Sequence, residues 1–386
     1  MEKFMLISGN AHPKLVNNIS SSLDVPIGNV HAYCQLNNEI SVCVDESVRG
    51  RDVFIVQGVN IHGSVNTDIM EALLLNYSCR TSAARSVTLV LPYLPYSTQS
   101  RLHGRSGIPM SVVSRAIEVS GANRVVSIDM YRKELQGFFK VPVENLRASP
   151  FLIQAIIDRV RDYQNSIFIA ANTNALSRAT AFCERLKLGA HGKYILKRKA
   201  LTKKGRMSPP HDRVSTFDMI PNRLPPDMRK QKQPLRVEGD VNGRIAIIVD
   251  DILDEVDRHV QAAQIIKKQG AYKIYVVATH GLLSGDAAKH IEDSPIDEVI
   301  VTNTVPHDFQ KMKSHKIHTV DISPLISEAI RRIVNGESMG ALFANVVFVQ
   351  HSTDLIHDHA RKKSSIRVSM SPTVTFIDDP QGRQCL

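Results

Sequence analysis

The sequence predicts an α/β protein of two domains, each built on a parallel β-sheet flanked by helices. The chain has 386 residues, which is enough for two ordinary domains. Short apolar runs alternate along it with segments of helical periodicity. Because these runs are apolar throughout, they are typical of parallel strands that are covered on both faces.

Seven apolar runs have the length and the flanking turn residues of buried strands. They are Asp52–Gly58, Ser86–Tyr96, Arg124–Met130, Ser166–Ala171, Arg244–Asp251, Lys273–Gly281 and Asp297–Val305. Between them, apolar residues recur at helical spacing. The predicted helices are Asp68–Ala84, Val112–Ser120, Pro150–Asp162, Leu176–Leu186 and Asp254–Gln269.

A faint internal repeat supports two similar halves. VSGANRVVSIDM (Val119–Met130) and KQGAYKIYVVATH (Lys268–His280) each run from a helix end through a Gly-Ala turn into a buried strand that ends in a polar residue. Pro150 fits the first turn of a helix, so we expect the domain boundary just before it. The expected units are residues 1–148, residues 149–345 and a tail, 346–386, whose basic, Ser-rich composition predicts flexibility.

The excess positive charge lies in one segment. The chain carries a net charge of +10, and Lys193 to Arg236 holds thirteen Lys or Arg against three Asp, so the remainder is neutral. Six of the eighteen prolines lie there as well. This pattern predicts a basic, mobile insertion at about residues 197–236. A nucleic-acid binder would be expected to spread its charge over one face, so the pattern argues against that class.

Membrane and secretory classes are also disfavoured. The longest apolar runs have strand length, too short for a transmembrane helix. The first residues lack the charged head and apolar core of a signal peptide. Five scattered cysteines without CxxC spacing indicate reduced thiols. We therefore expect a cytoplasmic protein without a membrane partner.

Polar residues at strand ends are the first candidates for a ligand site, because open α/β sheets bind ligands at the carboxyl ends of their strands. In RIAIIVDDILDEVDRH (Arg244–His259) five apolar residues run directly into Asp250 and Asp251. Asp129 ends another predicted strand. His280 ends a third, where it either orients the Asp250 loop or has a structural role.

Five blocks, in this order, resemble the ribose-phosphate diphosphokinase family, the phosphoribosyl pyrophosphate (PRPP) synthetases. They are Glu46–Gln57, Leu135–Leu146, Arg244–Val256, Val301–Pro306 and Asp321–Met339, and the likeness covers about residues 4–343. The resemblance implies two phosphoribosyltransferase-like domains and assembly into hexamers. It also implies transfer of pyrophosphate from Mg-ATP to C1 of ribose 5-phosphate.

The ribose-phosphate loop of active members reads Asp-Asp-x-x-Asp-Thr-x-x-Thr, and this chain departs from it. The three acids remain, but acidic or bulky residues replace both threonines and a small residue. A carboxylate about 4 Å from a phosphate charge costs on the order of 4 kcal/mol at an effective dielectric near 20. The resemblance therefore identifies a degenerate loop, comprising Asp250, Asp251, Asp254, Glu255, Asp257 and Arg258. Because arginine binds phosphate well, a phosphate site that Arg258 restores stays an alternative.

The other ligand segments of the family depart as well. The pyrophosphate loop corresponds to AANTNALSRA (Ala170–Ala179), which has neither Asp nor Gly. The catalytic Lys-x-Arg corresponds to Lys197 and Lys199, which are followed by the insertion. The ATP region is degenerate too, with Tyr131 in place of a histidine; its residues here are Glu39, Thr98, Gln99, Asp129 and Tyr131.

This pattern is similar to one branch of the family, the PRPP synthetase-associated proteins, which also carry a Ser-Pro-Pro in the insertion, here Ser208-Pro209-Pro210. Basic residues beside Ser208 suit phosphorylation. The resemblance implies a non-catalytic regulatory subunit that joins catalytic PRPP synthetase subunits in a homo- or hetero-oligomer of the hexamer kind. It assigns no metal or cofactor, and residual Mg²⁺ or ATP binding stays open. An active diphosphokinase, or a scaffold acting through the insertion, are the alternatives.

Overall fold

Two sheets and their helices organise the chain in a computed structural model that describes residues 4–61, 63–102, 105–172, 175–188, 193–198, 235–237, 241–343, 348–349 and 375–376. The first half contains β1 (Phe4–Ser8), α1 (Pro13–Leu23), β2 (Val30–Cys34), β3 (Ile40–Val44), β4 (Asp52–Val56), α2 (Val65–Thr81), β5 (Ser86–Leu91), α3 (Met110–Val119), β6 (Arg124–Ile128) and β7 (Val143–Leu146).

The second half is longer and ends in a short helix and an isolated strand pair. It contains α4 (Ser149–Arg159), β8 (Ser166–Ala170), α5 (Leu176–Arg185), β9 (Lys193–Arg198), β10 (Leu235–Val237), β11 (Ile245–Leu253), α6 (Asp257–Lys268), β12 (Lys273–Gly281), α7 (Ala287–Glu292), β13 (Glu298–Thr302), α8 (Asp308–Lys313), β14 (Ile317–Val320), α9 (Ser323–Asn335), α10 (Gly340–Phe343), β15 (Phe348–Val349) and β16 (Thr375–Phe376).

Both main sheets are parallel, as predicted. The first has the order β1-β4-β5-β6-β7, and the second has the order β10-β9-β8-β11-β12-β13-β14. Their strands pair in parallel, except that β10 is antiparallel to β9. Strands β2 and β3 form a separate antiparallel hairpin. All seven predicted strands and all five predicted helices are present, and Pro150 lies in the first turn of α4. Within these described ranges, no helix combines the length and apolarity needed to cross a membrane.

One boundary differs from the sequence prediction in a way that shapes the site. The sequence predicts a helix from Asp254, but β11 continues to Leu253 and α6 begins only at Asp257. The strand is longer because Ile252 and Leu253 still pair with the end of β12. A three-residue turn therefore separates the strand from the helix.

The internal repeat corresponds to two helix–turn–strand units. Gly121 ends the first helix with φ +108° and Gly270 ends the second with φ +92°, a conformation that favours glycine. A Cβ on Gly270 would also lie 2.3 Å from Asn242 Oδ1. Strands β6 and β12 follow these turns and end at Ile128 and Gly281, so the polar residues of the repeat reach the carboxyl edges of the two sheets.

A single apolar cluster joins the two halves and fixes how these edges face each other. Helix α1 packs against α9, and Leu15 and Ile19 belong to the same buried cluster as Ile326 and Ile330. Each such side chain contributes roughly 1.5–3 kcal/mol when it is fully buried. Packing between distant parts of the sequence therefore holds the end of β6 close to the end of β12.

Candidate ligand site at the strand ends

Asp129 lies immediately after β6 and is completely buried. Its backbone has φ +39°, which aspartate tolerates better than most residues. The carboxylate accepts hydrogen bonds from Arg147 Nη1 (3.2 Å), Ala148 N (3.1 Å), Arg178 Nη1 (3.0 Å) and Thr279 Oγ1 (2.9 Å). With four donors, both carboxylate oxygens are engaged by the protein itself.

Arg178, which the sequence analysis did not select, connects Asp129 to the degenerate ribose-phosphate loop. Its Nε lies 2.8 Å from Asp251 Oδ1, and its Nη1 also donates to Thr279 Oγ1 at 2.6 Å. The side chain is only 12% exposed. Arg178 lies one turn before buried Phe182 in α5. A charged residue on the apolar face of a predicted helix is the sequence feature that could have identified it.

The two acids that share Arg178 differ in acidity. Burial raises the pKa of Asp129, but the charges of Arg178 and Arg147 outweigh it and bring the pKa down to about 2. Burial raises the pKa of Asp251, and Arg178 offsets only part of that effect because Asp250 and Asp129 add negative charge nearby. Asp129 is therefore the anion that anchors the ion pair.

Asp250 is held by a second set of donors. Its Oδ1 accepts from Asn172 Nδ2 at 2.7 Å and from the backbone N–H of Asp251 at 2.8 Å. Its Oδ2 lies 2.9 Å from Nε2 of His259, a buried residue in the first turn of α6 that the sequence analysis also missed. Both oxygens of this carboxylate thus face groups of the chain.

The loop after β11 directs its remaining charges to local partners or to solvent. Asp254 Oδ1 accepts from the backbone N–H of Ser284 at 3.3 Å. Arg258, the residue that could have repaired a phosphate site, donates to the backbone carbonyl of Ala171. Arg258 therefore contacts the start of the segment that corresponds to the pyrophosphate loop.

Two acids of this loop remain at the surface. Glu255 is exposed, and Asp257 has a 66% exposed side chain that pairs with His290 at 3.3 Å. A phosphate entering here would meet carboxylates in place of the hydroxyl groups found in active members.

The residues assigned to the ATP region are not gathered in one place. Asp129, Tyr131, Arg147, Arg178, Asp251 and Phe343 are among the residues that line one cleft of about 540 Å³. Three others lie elsewhere: Glu39 is exposed near the turn of the β2–β3 hairpin, and Thr98 and Gln99 are exposed after β5. The structure therefore brings Asp129 and Tyr131 of the ATP region together with Asp251 of the ribose-phosphate loop. Glu39, Thr98 and Gln99 do not line this cleft.

His280 has the structural role and does not orient the Asp250 loop. Its Nδ1 lies 2.9 Å from Thr304 Oγ1, and its Nε2 lies 3.1 Å from the carbonyl oxygen of Ile128 and 3.3 Å from that of Asp129. Burial lowers its pKa to about 4. A neutral imidazole thus ties the end of β12 to the end of β6.

The predicted catalytic loop is only partly described. Lys197 lies in β9, opposite Arg236 of β10, so the two strands that flank the insertion pair with each other. Lys199, Ser208 and most of the insertion, like most of the tail, lie outside the described residues.

Magnesium, which the resemblance implies for active members, does not fit the acids as they are arranged. Mg²⁺ requires oxygen ligands in near-octahedral geometry, but Asp250 and Asp251 turn their oxygens toward Asn172, His259 and Arg178. Within the described residues, no group of three or more His, Cys, Asp or Glu side chains is arranged to hold a metal ion.

Comparisons with known proteins agree with the fold. A family model described as the phosphoribosyl synthetase-associated domain matches residues 162–344, and one described as the N-terminal domain of ribose phosphate pyrophosphokinase matches residues 4–121. A solved PRPP synthetase from Mycobacterium smegmatis has a TM-score of 0.73 and 28% identity, covering 87% of this chain and 100% of that one.

Curated relatives identify the branch. Phosphoribosyl pyrophosphate synthase-associated protein 2 of Xenopus tropicalis is 47% identical over 89% of this chain and 97% of its own length. Ribose-phosphate pyrophosphokinase 2 of Schizosaccharomyces pombe is 34% identical over 88% of this chain and 97% of its own. The chain belongs to the PRPP synthetase family and, within it, to the PRPP synthase-associated proteins.

Proposed function

We propose that this chain is a non-catalytic subunit that associates with catalytic PRPP synthetase subunits and restrains them. The observation that carries the proposal is that the acids near the strand ends already have hydrogen-bond or ion-pair partners within the chain. Asp250, Asp251 and Asp129 all bind donors of the same chain, and one guanidinium, that of Arg178, serves two of them. A site with its ligands already paired has little left with which to bind ribose or Mg-ATP.

The phosphate side supports the same conclusion. The 5-phosphate of the substrate would need hydroxyl and amide donors, but the turn after β11 and the start of α6 present Glu255 and Asp257 at the surface. Arg258, in the first turn of α6, donates to the carbonyl of Ala171. A phosphate beside these two carboxylates would meet charges of its own sign, which repel it.

Exposed apolar side chains support assembly with other subunits. Met70 and Tyr77, two turns apart on α2, are 49% and 56% exposed, and Val112 and Val119 on α3 are 72% and 85% exposed. Apolar surface that remains exposed on a subunit often marks a protein interface. We infer a homo- or hetero-oligomer of the hexamer kind. The name of the associated relatives supports association with a PRPP synthase, without giving an oligomeric state.

The same proposal extends to domain organisation and location. We infer two phosphoribosyltransferase-like domains, 1–148 and 149–345, supported by sheets whose strands span Phe4–Leu146 and Ser166–Val320. The basic insertion at about 197–236 belongs to the second domain, and the tail follows at 346. A cytoplasmic location is supported by the four described cysteines, none of which forms a disulfide bond.

An activity assay and a binding assay test the proposal together. The purified chain, given Mg-ATP and ribose 5-phosphate, should form no AMP above background. Mixed with a catalytic PRPP synthetase, it should co-elute with that enzyme and lower its rate per catalytic subunit. AMP formation by the chain alone would support the active diphosphokinase instead, and separate elution would remove the regulatory role. A Met70→Lys/Tyr77→Lys variant is the matched control, expected to fold but to associate less well.

A further inference from the structure

The acid that opens the degenerate loop is surrounded by donors on both of its oxygens. Asp250 is 6% exposed and His259 is 4% exposed. Asn172 Nδ2 donates to Oδ1 at 2.7 Å, and His259 Nε2 lies 2.9 Å from Oδ2. These two side chains come from different elements, the segment after β8 and the first turn of α6, so the arrangement depends on the fold.

The hydrogen bond fixes which nitrogen of His259 carries the proton. An ionised carboxylate only accepts hydrogen bonds, so Nε2 must be the donor to Asp250. Nδ1 is buried and has no hydrogen-bond partner among the described residues. His259 therefore has one side-chain hydrogen bond through its ring, and Asp250 receives it.

The location of His259 keeps its ring away from solvent. It lies on the buried face of α6 with Ala262, Ala263 and Ile266. Asp251, the neighbouring acid, is paired with Arg178 at 2.8 Å. A cation approaching the strand end would meet an imidazole N–H, an amide NH₂ and a guanidinium, all of which present hydrogen atoms.

We propose that His259 and Asn172 take the place of a divalent cation at Asp250, so that this strand end is built to remain free of metal. His259 is here a positioning residue, whose Nε2 occupies the side of Asp250 Oδ2 from which a cation would approach. This proposal concerns the same site as the proposed function. It predicts the absence of metal binding, whereas the proposed function predicts the absence of activity, so one can be wrong while the other is right.

The test is Mn²⁺ binding to the full chain, followed by electron paramagnetic resonance and calorimetry, with Mg²⁺ as competitor. The unmodified chain should bind no Mn²⁺ at this site, and its melting temperature should be the same with Mg²⁺ or with EDTA. Asn172→Asp/His259→Leu adds a carboxylate and removes the competing donor. It should acquire Mn²⁺ binding that the unmodified chain lacks, and it should melt at a higher temperature when Mg²⁺ is present.

Controls separate the proposal from trivial effects. His290→Leu makes the same chemical change at the exposed histidine of α7 and should leave Mn²⁺ binding unchanged. Adding Asp250→Asn to the double variant should remove the acquired binding. If the double variant does not fold, the unmodified chain still decides the question, since a Mn²⁺ ion that it binds and that Asp250→Asn releases would overturn the proposal. A folded double variant that gains no affinity would also overturn it.

Discussion

Two groups of acids that look alike in the sequence differ in burial and in their contacts. Asp129, Asp250 and Asp251 lie at strand ends, are buried, and contact donors of the same chain. Glu39 and Glu255 lie in turns and are exposed. Burying an ionised carboxylate costs several kcal/mol unless it is paired, so the first group depends on its donors, whereas the second does not.

The difference shows that an aspartate at the end of a strand is not by itself a sign of ligand binding. In the degenerate site, the buried acids have become parts of an ion-pair network that joins the two halves through Arg178 and Thr279. The exposed acids have no such role in the described contacts. If this distinction is right, substitutions in the two groups must differ in their effect on stability.

Replacing the shared arginine should have the largest effect. Arg178→Met leaves Asp129 and Asp251 buried without their common cation, and we expect the free energy of unfolding to fall by roughly 3–5 kcal/mol. Urea denaturation followed by circular dichroism measures the change. A loss below about 1 kcal/mol would mean that solvent reaches the two acids.

A matched set of variants isolates the ion pair from the loss of packing. Arg147→Met removes a 35% exposed arginine with a single contact to Asp129 and should destabilise less. Combining Arg178→Met with Asp129→Asn and Asp251→Asn removes the buried charges as well. This triple variant should recover part of the stability, because the penalty arises from the unpaired carboxylates.

The sequence predicts which strands carry the acids of this site, but it does not predict the contacts that these acids make. Buried strands are recognisable as apolar runs, so periodicity predicts Asp129 just after β6 and Asp250 and Asp251 close to the end of β11. Their partners do not. Arg178 reaches Asp129 across 49 residues and Thr279 reaches it across 150, distances that only tertiary packing closes. His259 is nine residues from Asp250, but its contact depends on the three-residue turn between β11 and α6, which the sequence prediction had placed in the helix.

Buried and exposed histidines should differ in the same way in how they make stability depend on pH, with an effect of intermediate size. Burial lowers the pKa of both His280 and His307 to about 4, whereas the unfolded chain binds these protons near pH 6.5. Both groups are neutral in the folded state, so stability should be lost as the pH falls from about 6.5 to about 4. Each histidine should cost roughly 2 kcal/mol between pH 6.5 and pH 5.

Urea midpoints at pH 7 and pH 5 measure this dependence. His280→Asn should remove about half of the loss that His280 and His307 cause, since one of the two imidazoles with a pKa of about 4 is gone. His31→Asn changes an exposed histidine of the hairpin and should leave the dependence as it was. Equal slopes in all three proteins would show that the buried rings do not control acid sensitivity.

The smallest effect is expected for the exposed acids and their neighbours. Glu39→Ala and Gln99→Ala alter side chains that solvent already surrounds, and each should change the free energy of unfolding by no more than about 0.5 kcal/mol. Asp129→Asn, measured in parallel, should cost several times as much, because it removes the anion that Arg147 and Arg178 share. If Glu39→Ala were as damaging as Asp129→Asn, exposure would not be what separates the two groups. The hairpin would then have to contact another subunit in the assembled protein, which the same variants would reveal as a loss of association.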